Sequence, residues 1–108
     1  MEFEINGVKW NIVFVPSYSD RLKRSDGSKT VGVAFLEETT IYLSNRLKGA
    51  FLRRVTAHEL VHAFCLSYSV FMSIDEEERL ADWVATYGSE LVYLLDDLMG
   101  AIKKAHIA

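Results

Sequence analysis

The chain has 108 residues, enough to bury one core, so a single domain over residues 1–108 is expected. Half of the residues are hydrophobic and a quarter are charged, which sets aside intrinsic disorder and points to a soluble globular protein. A formal net charge of −3 gives no general attraction for nucleic acid, and no apolar run approaches the roughly 18 residues that a membrane span needs.

The first residues, Met1-Glu2-Phe3-Glu4-Ile5, carry neither the basic stretch nor the apolar stretch of a secretory leader. Cys65 is the single cysteine, so no internal disulfide can form. A reducing compartment fits, and a cytoplasmic protein is the expectation.

Phe3–Ile5 reads as a short strand that pairs with Val8–Val15 across Asn6-Gly7, a strong hairpin dipeptide. Val8–Val15 alternates and places Trp10, Ile12 and Phe14 on one face. Pro16 ends that strand because it has no backbone donor. Ser17–Lys29 is polar, contains Asp26-Gly27 and reads as an exposed loop. Thr30–Leu36 and Thr39–Leu43 read as two more strands joined at Glu37-Glu38. The second of these leads directly into a helix; as a sheet edge, it would offer free backbone groups to an extended substrate. Basic residues gather at Arg21, Lys23, Arg24 and Lys29, and again at Arg46, Lys48, Arg53 and Arg54. Solvated surface is the first reading of both clusters, and a basic rim facing a partner is the second.

A helix is expected from about Leu47 to Leu66, capped by Ser44 or Asn45, with Gly49 able to delay its start. Phe51, Leu52, Val55, Ala57, Leu60, Val61, Ala63, Phe64 and Leu66 make it apolar on nearly every side, the mark of a buried helix. Inside it lies His58-Glu59-Leu60-Val61-His62, a His-Glu-x-x-His motif. Two imidazoles four residues apart share one helix face, where a single zinc ion can take both. Glu59 is one position off that face, poorly placed as a ligand and well placed to reach a water beside the metal. Burying two imidazoles and a carboxylate without partners would cost several kcal/mol, so a metal explains the set economically. Cys65 sits among apolar neighbours and reads as a small buried hydrophobe.

Ser73 followed by Glu76 is a capping-box pattern, and it opens a second helix expected over about Asp75 to Met99, with a break near Gly88. Leu80, Ala81, Val84, Gly88, Leu91 and Leu95 form its apolar stripe. A catalytic zinc takes three protein ligands and keeps one open position. Glu76, Glu77 and Glu78 are the candidates for the third; the remaining acids would complement the helix dipole. Glu78 shares a face of small residues with Ala81, Asp82, Ala85 and Ser89, which suits close approach to the first helix. Glu78 is therefore chosen as ligand, with Glu77 as the runner-up. Asp82, one turn on, is placed to orient an imidazole, although a surface acid or a partner for Arg79 serves it equally well. Asp96 and Asp97 lie too far along the helix to ligate. His106, near the chain end, reads as a surface residue.

The segment Phe51–Phe64 resembles the active-site helix of the ImmA/IrrE-type metallopeptidases, which are gluzincins, and Glu78-Arg79-Leu80-Ala81-Asp82-Trp83-Val84-Ala85 resembles that family's Glu-x-x-Ala-x-x-Phe-Ala segment. The likeness runs from about Ile41 to Ala85 and extends to compact minigluzincins and phage-encoded members. It implies an α+β fold: a minimal zincin-like domain with a small three- to four-stranded twisted sheet, packed on the active-site helix and a second, glutamate-bearing helix. It also implies His58, His62 and Glu78 as Zn²⁺ ligands and Glu59 as catalytic acid/base. The expected activity is zinc-dependent hydrolysis of a peptide bond in a protein or peptide substrate, such as a repressor. Tyr68 and Tyr87 are the nearest candidates to steady an oxyanion, although an ordinary core or surface role suits each better. The alternative is a protein-binding module on a zincin scaffold with little or no catalysis.

Overall fold

A computed structural model describes residues 1–107, with side chains described through Ala105. The elements in chain order are β1 (Glu2–Ile5), β2 (Val8–Val15), β3 (Gly32–Phe35), a short 3-10 turn (Leu36–Glu38), β4 (Thr40–Ser44), α1 (Gly49–Ser67) and α2 (Ile74–Ile107). The class is α+β, with a four-stranded mixed sheet and two helices.

Asn6 and Gly7 take φ of +50° and +78°, the left-handed conformations that a two-residue hairpin turn demands. They close β1 onto β2 in antiparallel register, Phe3 opposite Trp10. The Asn6 amide also donates to the Ser67 carbonyl at 3.0 Å, tying the turn to the end of α1. Beneath it the buried Trp10 indole N–H donates to Ser67 Oγ at 2.8 Å.

The sheet order is β1-β2-β4-β3. β4 runs parallel to β2 and antiparallel to β3, so it lies inside the sheet. This corrects the expectation that it might be an edge. All five of its residues are buried, which suits a strand covered by neighbours on both sides. The edge strands are β1 and β3, the latter reached after the Ser17–Lys29 loop. Phe14 is the exception on the inner face of β2: it is half exposed, while Trp10 is buried.

α1 lies between the sheet and α2. Ile5, Trp10, Ile41, Leu43, Leu47 and Ala63 form the core between sheet and α1. Val61, Cys65 and Ala81 form a second small core between α1 and α2. The two faces of α1 that meet these layers are buried, but Phe51 and Phe64 remain about half exposed, so the helix is not apolar-packed all round. Its cap is Lys48, with no side-chain bond to the first turn. Ser44 does not cap it; its hydroxyl accepts the Arg46 N–H instead.

Ser73 opens α2 as expected, with its hydroxyl accepting the Glu76 N–H at 3.2 Å. The helix then continues for 34 residues without a break at Gly88, well past Met99. A helical glycine costs about 1 kcal/mol relative to alanine, too little to end so long a helix. Of the stripe expected to face the core, only Ala81 is buried; Leu80, Leu91 and Leu95 face water. Among the described residues, no helix is long and apolar enough to cross a membrane. The side chain of His106 lies outside the described residues.

Candidate metal centre

α1 and α2 bring His58, His62 and Glu78 together, with one ligand atom of each within 4.8 Å of the others. His58 and His62 stand one turn apart on α1, with ring centroids 5.1 Å from each other. Both rings turn Nε2 toward the same carboxylate: His58 Nε2 is 3.0 Å from Glu78 Oε2, and His62 Nε2 is 3.0 Å from Glu78 Oε1. The other nitrogens are held from behind. His58 Nδ1 is 2.9 Å from Asp82 Oδ1, and His62 Nδ1 is 2.7 Å from Glu77 Oε2.

The approach of α2 that allows this depends on small residues. Ala81 is fully buried against Val61 and Cys65, directly between the three acids in helix register. Farther along, Arg54 donates to Thr86 and Arg53 to Ser89, which closes the same helix pair at its other end. Asp82 meets an imidazole, as the helix periodicity anticipated. Glu77, the runner-up as ligand, instead backs His62. A pair of acids one and four residues from Glu78 carried that signal, because each His needs its own second partner.

Two imidazoles and a carboxylate are a donor set that zinc accepts. Carboxylates behind both Nδ1 atoms fix the tautomer, leaving each Nε2 lone pair free for a metal. The residues present therefore fit Zn²⁺.

Glu59 is buried beside this group, with Oε2 3.9 Å from His58 Nε2. Burial pushes its carboxyl up to about 7, against the opposing pull of the His58 charge, the Ala34 backbone N–H and the Arg24 charge. Cys65 is not part of the group. Burial raises its thiol pKa, and its contact to the Glu77 carboxylate raises it further.

A cleft of about 230 Å³ opens at the site, with His58, Glu59 and Asp82 on one side, Gly32 of β3 on another, and Arg24 and Arg54 at its rim. These two arginines come one from each basic cluster, and both line the cleft. Arg21 from the cluster of Arg24 pairs with Glu38 at 2.8 Å and lies over Tyr42, away from the cleft. Tyr68 stacks on Phe64 and Tyr87 packs against Trp83, and neither lines the cleft.

β3 borders the cleft with its backbone. Ser44 N–H donates to Val31 C=O, so the odd-numbered residues of this strand turn toward β4 and Gly32 and Ala34 turn away from it. A Cβ at Gly32 would stand 2.7 Å from Val55 Cγ1 and 3.5 Å from Glu59 Cγ, so only glycine lets the strand lie this close to α1.

No family model matches this chain, and neither a curated protein nor a solved structure matches it.

Proposed function

We propose that this protein is a zinc-dependent peptide hydrolase built on a minimal zincin-like domain of the gluzincin type, similar to the ImmA/IrrE metallopeptidases. The observation that carries this reading is the double orientation of the histidines. Both Nε2 atoms converge on Glu78, while Asp82 and Glu77 hold the two Nδ1 atoms. A merely structural acid–imidazole cluster has no need to point both rings the same way.

His58, His62 and Glu78 would hold the ion. When bound, zinc supplies Lewis acidity, acidifying water and polarising a carbonyl oxygen. Glu59 takes a proton at its carboxylate and returns it to the leaving amine. A carboxyl raised toward neutral pH can do both within one cycle. Asp82 and Glu77 hold the two Nδ1 atoms and so keep the imidazoles aligned. The outward Gly32 N–H and Ala34 C=O of β3 offer a peptide in extended form backbone groups to pair with. Arg24 and Arg54 add positive charge at the rim. The substrate is a protein or peptide, and the setting is cytoplasmic.

The test is zinc content together with proteolysis. The purified protein should bind about one zinc per chain and cleave an unfolded protein substrate, and Glu59→Gln should slow cleavage by about 100-fold or more while keeping the metal. A folded protein that takes up no zinc, or a Glu59→Gln variant as active as the parent, would overturn the proposal.

A further inference from the structure

Two positive charges in the cleft have no negative partner. Arg21 pairs with Glu38 and Lys23 with Asp20, but among the described residues neither Arg24 nor Arg54 forms an ion pair. The acids that line the cleft with them are committed elsewhere: Asp82 holds His58 Nδ1, and Glu59 is buried.

Both arginines are held at the cleft by the fold. Arg54 lies one turn before His58 on α1, so the two share a helix face. Its Nη2 donates to Thr86 Oγ1 at 3.3 Å, and that hydroxyl donates to the Asp82 carbonyl at 2.8 Å. This occupies one N–H of a guanidinium that carries five. Arg24 begins a closed turn. Its N–H donates to the Ser28 carbonyl at 2.8 Å, and its carbonyl accepts the Gly27 N–H at 2.9 Å. The buried Leu22 anchors that turn, and its carbonyl accepts the Thr30 N–H at 3.0 Å just before β3.

The spacing suits a peptide. One turn of α1 sets Arg54 about 6 Å along the axis from His58. An extended peptide advances about 3.3 Å per residue. A group that reaches the arginines therefore lies within about three residues of a bond at the metal group. The cleft holds about 230 Å³, which is smaller than the roughly 300 Å³ or more of a drug-sized pocket and is room for one side chain or chain end. Phe51 and Val55 line it beside the arginines, so the stem of a bound acid finds apolar contact while its head finds guanidinium.

We propose that Arg24 and Arg54 determine specificity by binding a carboxylate of the substrate peptide within about three residues of the scissile bond. The proposal rests on the peptide-hydrolase reading of the site. Guanidinium donates to a carboxylate through two parallel bonds, a geometry that lysine lacks. The carboxylate belongs either to an Asp or Glu side chain or to the substrate's own C-terminus.

Digestion of a proteome-derived peptide library by the zinc-loaded protein, read by mass spectrometry, tests the proposal and separates these sources. A side-chain source should enrich Asp and Glu about fivefold or more at one position near the cut. A terminal source should place the cuts near the peptide ends and lose them when the library is amidated. Arg24→Gln with Arg54→Gln should erase either preference at the remaining cut sites. Arg24→Lys with Arg54→Lys should keep part of it, and Arg24→Glu with Arg54→Glu should turn a side-chain preference toward Lys and Arg. Circular dichroism confirms that each variant folds. Cuts indifferent to carboxylates, or a preference untouched by the Gln changes, would overturn the proposal.

Binding keeps this outcome apart from hydrolysis. Fluorescence anisotropy on metal-free protein, where no ion can take the carboxylate itself, compares three labelled decapeptides: one with a central Glu, one with Gln there, both amidated, and the Gln peptide with a free C-terminus. A carboxylate-bearing peptide should bind about tenfold more tightly than the amidated Gln peptide. The gap should narrow in raised salt and vanish in the Gln double variant. If this gap is found and nothing is cut, the hydrolase reading fails and the carboxylate site stands. Equal binding of all three peptides, or of none, overturns the site.

Discussion

His62 Nδ1 and the Glu77 carboxylate stand 2.7 Å apart, the shortest of the acid–imidazole contacts in the cluster. Glu77 thus works from behind the ring, as Asp82 does at His58. Outer partners of this kind set ring orientation and ligand basicity. Glu77→Gln and Asp82→Asn should each weaken zinc binding by about 10- to 100-fold without abolishing it. Glu78→Gln, which removes the proposed third ligand, should cost more than either. Competition with a chromophoric chelator measures all three.

The metal-free protein should lose stability as pH rises from 4.5 to about 7. The ordinary Glu value of 4.5 governs the unfolded chain, while the folded chain keeps its proton on Glu59 up to about 7. The folded state therefore binds the extra proton across that window, and stability present below it is lost above it. Glu59→Gln has no charge to bury. In urea titrations without metal it should be more stable than the parent above pH 7, by up to about 3 kcal/mol, and the gap should close near pH 4.5.

Gly32→Ala should destabilise the fold by about 1–3 kcal/mol, because its new methyl group collides with Val55 Cγ1 at 2.7 Å and presses on Leu43 Cδ2 at 3.1 Å. Removing the obstacle should recover part of the loss. The double variant Gly32→Ala, Val55→Ala should unfold at a higher urea concentration than the sum of the two single effects allows.

Cys65 should resist alkylation at pH 8 in the folded protein. Burial and the neighbouring Glu77 carboxylate both hold the thiol protonated. Iodoacetamide should react at least about tenfold faster with the denatured chain.

The site was legible in the sequence because its pieces are local. His58 to His62 and Glu78 to Asp82 are each one helical turn, and a turn places residues on one face whatever the rest of the chain does. The hairpin at Asn6-Gly7 was legible for the same reason. The strand order was not. Its parallel pairing of β2 with β4 joins segments about thirty residues apart, and no local rule fixes such a partner. A signal was present in Thr40–Ser44, where buried residues do not alternate, but Ser44 and Thr40 disguised it as a half-polar strand. The second role of Glu77 was hidden because three adjacent acids look alike until α1 is in place. α2 misled through its outer leucines, whose helical spacing reads as core although the body ends at Ser89.

Because α2 is one unbroken helix, it also fixes an angular phase. Glu77, Glu78 and Asp82 set the bearing of one end, and the outer leucines have their own bearing at the other, locked together by 34 residues of continuous hydrogen bonding. An alanine inserted between Glu90 and Leu91 would leave both ends chemically intact. It would turn the outer segment by about 100° relative to the histidines, so that everything beyond Glu90 faces a new direction while the cleft stays as it was.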